Sequence, residues 1–202
     1  MRQLTRDKDL LPQRLTRRCS EPRTIAFRLQ SNALVGRVAE LASLGSMSTG
    51  GGQAFSIASA TINDCSECAQ LLIEQLAEHG VDASAEQLSS VLEKIVVDAA
   101  RGFVLLAREN SQLVGIAYVA TILSAEHCGL VGWLEELYVR QSHRSRGIGT
   151  TLVAAIIERA RNAHMVAIDL EIDAGHSRAE SLYRRSGFRL LNRSRWVKQL
   201  TT

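Results

Sequence analysis

The stretch that most constrains this chain is Trp133 to Thr151, WLEELYVRQSHRSRGIGTT. It opens as an apolar run rich in aromatic and branched residues (Trp133, Leu134, Leu137, Tyr138, Val139), the composition of a buried strand. A polar, basic turn follows, Arg140 to Arg146. Gly147-Ile148-Gly149 then leads into helical spacing at Leu152, Val153, Ile156, Ile157 and Ala160. A strand, a glycine-bearing loop and a helix N-terminus together make an anion cradle. The first N–H groups of the helix have no intrahelical partner, and the helix dipole adds positive character at the same place. Glycines remove the Cβ atoms that would hold an anion away from those N–H groups. Arg144 and Arg146 are expected to add mobile positive charge at the rim. The segment reads as a pyrophosphate site.

Two familiar phosphate loops are excluded. A dinucleotide fingerprint needs a third glycine where this chain has Leu152, and a Walker loop needs a lysine that is absent here. Arg144-Ser145-Arg146-Gly147-Ile148-Gly149, directly after Leu137-Tyr138-Val139, instead resembles the [QR]-x-x-G-x-[GA] signature of the GCN5-related N-acetyltransferase (GNAT) superfamily. A second segment agrees. In Asp173 to Phe188, residues Ala179, Leu182, Tyr183, Gly187 and Phe188 fit the family pattern N-x-x-A-x-x-[LF]-Y-x-x-x-G-F. His176 departs from it, standing where the family usually has Asn; a histidine still donates a hydrogen bond, so that contact is altered or pH-dependent.

The resemblance implies an α+β fold, a mixed central sheet of about six to seven strands flanked by about four helices. It implies acetyl-CoA as co-substrate, held by Leu137, Tyr138, Val139, the loop Arg144, Ser145, Arg146, Gly147, Ile148, Gly149 and Thr150, and by His176, Ala179 and Tyr183. It also implies that Tyr183 is the general acid facing the thioester sulfur. Acyl transfer to an amine needs a base for the ammonium proton and a donor for the leaving thiolate, and donors for the thioester oxygen as charge develops. Glu135 and Glu136 are the base candidates. Alternation sets Glu135 with Leu137 and Val139 on one face and Glu136 with Tyr138 on the other, unless a bulge splays the strand. Glu135 is expected as the base, with Glu136 assisting. The Leu-Glu-acid run also looks like that of diamine and polyamine N-acetyltransferases.

The chain order supports the same plan. Phe55 to Ile62 alternates as a first strand, Asn63-Asp64 signals a helix start, and Gly80 ends that helix. Ser84 caps a second helix over Glu86 to Ala100. Gly102 to Arg108 and Leu113 to Leu123 make an antiparallel hairpin. Met165 to Ile172 is a further strand, followed by a helix and a closing strand. Glu74, Glu78, His79 and Asp82 lie on the first helix and the loop after it, where they either meet a cationic acceptor or form a solvated face.

Residues 1–53 form a basic leader, expected to be flexible or an upstream extension, and 54–202 form the acetyltransferase domain. Residues 1–46 hold nine Lys/Arg against four Asp/Glu, a net of +5, while the remainder is fifteen against seventeen, a net of −2. The domain is therefore near neutral, which argues against nucleic acid as partner. No apolar run approaches the ~18 residues of a membrane span, and a cytoplasmic protein is expected. Cys65-Ser66-Glu67-Cys68 lacks the second pair a zinc site wants, so no metal is expected and the cysteines read as packing residues. The function that follows is acetyl-CoA-dependent N-acetylation of a small-molecule primary amine by direct attack in a ternary complex. A protein acceptor, or a coenzyme-binding module without turnover, are the alternatives. A homodimer is possible in a protein that looks like this.

Overall fold

The structure is a computed structural model that describes residues 55–173 and 175–200. The leader, residues 1–53, lies outside them. The elements run β1 Phe55–Ser59, α1 Cys65–Glu78, α2 Ala85–Val96, β2 Gly102–Glu109, β3 Gln112–Ser124, β4 Gly129–Val139, α3 Ile148–Asn162, β5 Ala167–Leu170 and α4 Ser177–Arg185. This is the α+β plan expected from the sequence, with four helices around a mixed sheet.

Local chemistry sets most boundaries. Asp64 closes a reciprocal cap with Thr61, accepting from its backbone N–H at 2.7 Å and from its hydroxyl at 2.6 Å. Ser84 Oγ accepts from the Gln87 N–H at 3.4 Å at the start of α2. The β2–β3 hairpin turns through Asn110 (φ 48°) and Ser111 (φ 68°), two left-handed residues whose twist matches that of the strands. Helix α2 stops at Val96, short of the expected Ala100, and β5 is shorter than the expected Met165–Ile172.

The sheet order is β1-β2-β3-β4-β5, antiparallel throughout except for the parallel pair β4–β5, which α3 connects. Alternation along β2 feeds two cores. Val104 and Leu106 pack with Leu71, Leu72 and Leu92 of α1 and α2. Phe103, Leu105 and Ala107 pack with Leu152, Val153 and Ile156 of α3 and with Tyr183 of α4. Cys65 and Cys68 are buried in the first core, and burial pushes the Cys68 thiol up to about 12, so both act as apolar packing groups.

The sheet has five strands, and no closing strand follows α4 among the described residues. The tail after Phe188 is held by side chains instead. Arg193 Nη1 donates to Glu126 at 2.8 Å and Arg195 Nη1 to Glu171 at 2.8 Å, while Trp196 and Leu200 stay exposed. Exposed ion pairs of this kind bind weakly and impose no strand register.

Candidate active site

Two irregularities in β4 build the site. The first is a bulge. Tyr118 of β3 pairs with Glu136, but its neighbour Val119 pairs with Leu134, so Glu135 is an extra residue in β4. Leu134 and Leu137 both pack toward α3 and α4, and the two glutamates fill an interval that strict alternation would give to one residue. Glu136 faces α1, where Gln75 Nε2 donates to its Oε2. Glu135 is exposed.

The second irregularity is a parting of strands. Parallel pairing of β4 with β5 runs from Val131↔Ala167 to Leu134↔Leu170 and ends there, while β4 continues to Val139. Beyond Leu134 the β5-side edge of β4 has no strand partner among the described residues. An extended thioester-bearing arm fits such an edge, because main-chain N–H and C=O groups are available to pair with it.

Tyr183 of α4 is 8% exposed and stacks edge-on against Phe188, with ring centroids 5.5 Å apart. No hydrogen bond to its hydroxyl occurs among the described residues. Burial, followed by the negative field of Glu136, pushes Tyr183 up to about 12, so it keeps its proton. Burial also raises Glu136 above the ordinary glutamate range, and Glu135 raises it further, against the lowering effect of Gln75. Tyr118, across the strand, is raised by burial and by both glutamates. One half-buried carboxylate, one exposed carboxylate and two protonated phenols thus share a single field.

The loop from Arg144 to Gly149 has the geometry of an anion nest. Ser145 (φ 66°) and Gly147 (φ 85°) are both left-handed and flank Arg146 just before α3. Gly149 has room around it, since a Cβ there would lie 3.7 Å from Leu182 and 3.9 Å from Val139. Ile148 is 1% exposed and turned into the core, so only its backbone is offered to a ligand. The same holds for Tyr138, whose hydroxyl donates to Glu78 at 2.7 Å on the α1 side. Thr150 is exposed in the first turn of α3.

The expected mobile arginines are corrected by the geometry. Arg144 donates from Nε to the Val139 carbonyl at 2.8 Å and from Nη2 to both Glu78 oxygens at 2.9 and 2.7 Å, and its guanidinium lies 5.3 Å from the Tyr138 ring centroid. Arg146 forms a fork on Glu109. Both charges already have carboxylate partners. Glu74 is likewise bonded to Arg140, so Glu74 and Glu78 serve arginines of the strand and loop.

His176 opens α4 with its ring 5.6 Å from that of His79, whose Nδ1 is 3.7 Å from Asp173. Arg178, two residues on, donates to Ser145 Oγ and so ties α4 to the loop before α3. Ala179 packs beside Leu182 against the second core. Gln75, Tyr118, Glu109 and Arg178 carry no motif signal. Only the β3–β4 register and the packing of α1 bring Gln75 and Tyr118 to Glu136.

Residues 66–188, more than half of the chain, match the model of the acetyltransferase (GNAT) family. The chain belongs to that family. It is 36% identical over 63 residues to an L-methionine sulfoximine/L-methionine sulfone acetyltransferase of Pseudomonas paraeruginosa, and equally to its Pseudomonas aeruginosa counterpart; the match covers 31% of this chain and 37% of each enzyme. The chain thus spans just over a third of the length of these curated relatives.

Solved structures show the same GNAT fold. A possible acetyltransferase from Clostridium difficile 630 superposes with a TM-score of 0.65 at 16% identity, over 73% of this chain and 99% of that one. A predicted acetyltransferase from Clostridium acetobutylicum, solved with acetyl-CoA, gives 0.61 at 18% identity over 72% and 96%. A ribosomal-protein-alanine N-acetyltransferase from Brucella melitensis gives 0.58 at 20% identity over 73% and 99%.

No helix among the described residues is long and apolar enough to cross a membrane, and no group of three metal-ligating side chains occurs among them.

Proposed function

We propose that this protein transfers the acetyl group of acetyl-CoA to the primary amine of a small molecule by direct attack in a ternary complex. The observation that carries this reading is the coincidence of the bulge at Glu135 with the end of β4–β5 pairing at Leu134↔Leu170. It combines an open strand edge for the thioester arm with two carboxylates beside the same point.

Glu136, in place of the Glu135 expected from the sequence, is the base in this reading, because it is the carboxylate turned from solvent toward α1. The exposed Glu135 attracts the incoming ammonium. A raised carboxylate is better matched to taking an ammonium proton than an ordinary one. The neutral amine attacks the thioester carbon, a C–N bond forms and the C–S bond breaks. Tyr183 gives its proton to the departing sulfur, and one proton passes to solvent for each acetamide formed. N–H groups along the freed edge of β4 stabilise charge on the thioester oxygen.

Among the described residues no cysteine is well placed for a covalent route. Cys65 and Cys68 are buried, and Cys128 precedes β4, roughly 23 Å of strand away from Glu136. Amino-acid-like α-amines are the first acceptor class to test, because the curated Pseudomonas relatives are named for methionine derivatives. The experiment is thiol release from acetyl-CoA against amino acids and their sulfone and sulfoximine derivatives, polyamines, aminoglycosides and short peptides. Turnover with one small-amine class, lost in Tyr183→Phe, is the expected result. Turnover with peptides alone would overturn the small-molecule acceptor, and coenzyme binding without any turnover would overturn the enzyme.

A further inference from the structure

Glu109, the last residue of β2, is the charged side chain most removed from solvent among the described residues, at 6% exposure. A buried carboxylate is unfavourable unless it is paired and hydrogen-bonded, and both of its oxygens are engaged. Arg146 Nη1 donates to Oε2 at 3.0 Å and Nη2 donates to Oε1, while His143 Nε2 lies 3.3 Å from Oε2. The two partners come from either side of Arg144-Ser145, so one carboxylate grips both halves of the turn between β4 and α3.

That turn needs a grip. Ser145 and Gly147 are left-handed on either side of Arg146, and a non-glycine residue persists there only where its surroundings over-determine it. The loop's own sequence, serine, arginine and glycine, does not supply such a constraint. A bidentate arginine fork does, because it fixes orientation as well as distance.

We propose that Glu109 is a positioning residue for the coenzyme: through Arg146 and His143 it holds the backbone N–H groups from Ser145 to Gly149 in the arrangement that receives the pyrophosphate. This rests on the reading of that loop as the acetyl-CoA site. It gives Arg146 a different role from the one its place in the motif suggests. Its guanidinium is committed to Glu109, and the N–H groups around it meet the ligand. The Arg146 guanidinium in turn lowers Glu109 from the usual glutamate range, so the carboxylate is ionised and the fork intact throughout the neutral region.

The two roles for Arg146 predict opposite signs. Removing the Glu109 charge frees the guanidinium, which would tighten binding if Arg146 were a direct phosphate ligand and weakens it if the loop loses its anchor. The test is calorimetric affinity for acetyl-CoA, with KM and kcat, in the wild type, Glu109→Gln, Arg146→Ala and the double variant. Each single change is expected to raise Kd and KM for acetyl-CoA roughly tenfold, the scale of one lost charge-assisted hydrogen bond. The acceptor KM and kcat should move little, and the double variant should be no worse than either single.

Tighter binding in Glu109→Gln, or unchanged affinity in both singles, would overturn the proposal while leaving the coenzyme reading intact. A wild type that does not bind acetyl-CoA would overturn both. If Glu109→Gln fails to fold, His143→Ala carries the test, because it removes the carboxylate's second contact and leaves the Arg146 fork in place. A raised Kd for acetyl-CoA in that variant supports the anchor, and an unchanged Kd overturns it.

Discussion

Gln75 of α1 donates its side-chain N–H to the Glu136 carboxylate, joining the first helix to the bulged strand. This contact sets a sign for the pH dependence. Burial raises Glu136 and the Gln75 hydrogen bond lowers it. A base works only when ionised, so activity is present above the Glu136 pKa and is lost as pH falls through it. Gln75→Leu removes the stabilising donor, and the acidic limb of kcat/KM should therefore move to higher pH. An unmoved limb, or one displaced to lower pH, would remove Glu136 from the role of base.

Tyr183 makes the complementary case. With its hydroxyl pushed up to about 12, it stays protonated across the range in which the enzyme can be assayed. No alkaline limb below about pH 11 should therefore arise from it. Tyr183→Phe keeps the ring against Phe188 and deletes only the proton. It should lower kcat by about 10²–10³-fold with little change in the KM for acetyl-CoA. A loss confined to KM would make Tyr183 a packing residue.

The strand, loop and helix from Trp133 to Thr151 were legible because three local signals agree there: branched apolar residues, glycines and a 3.6-residue period. The site was legible only in part. Alternation alone separated Glu135 from Glu136, and the bulge that overrides it follows from how β3 pairs with β4, which no local pattern encodes. Arg144 and Arg146 read as free cations because Glu78 and Glu109 lie 66 and 37 residues away from them. The sequence order predicts a closing strand after the last helix. The tail instead carries four basic residues whose ion pairs and exposed side chains replace a ladder.

Two left-handed glycines should respond very differently to alanine. At Gly102 (φ 146°) a Cβ would stand 2.0 Å from the Val119 carbonyl oxygen and 3.0 Å from the Ala120 Cα. Both are backbone atoms of the paired strand and cannot rotate away. Gly102→Ala should cost about 3 kcal/mol or more, as backbone strain adds to overpacking. At Gly147 (φ 85°) nothing lies within 4 Å, so Gly147→Ala meets only the dihedral cost of about 1–2 kcal/mol. Denaturant titration of the two variants checks the ranking. Equal losses would mean that β2 shifts to accommodate the methyl group.

Arg144 tests whether the signature residue of the loop acts on the ligand or on the protein. Its guanidinium is shared by Glu78, the Val139 carbonyl and the Tyr138 ring. The pair is part exposed, with side-chain exposures of 31% and 39%, so its contribution to stability should stay under about 1 kcal/mol. Arg144→Gln retains a donor able to reach the Val139 carbonyl and gives up the Glu78 pair and the contact with the Tyr138 ring. Acetyl-CoA affinity should then change less than about threefold, with the same salt dependence as the wild type, because the charge removed was already neutralised. A large loss of affinity together with a flatter salt dependence would mean that Arg144 leaves Glu78 to meet the phosphates when the coenzyme binds.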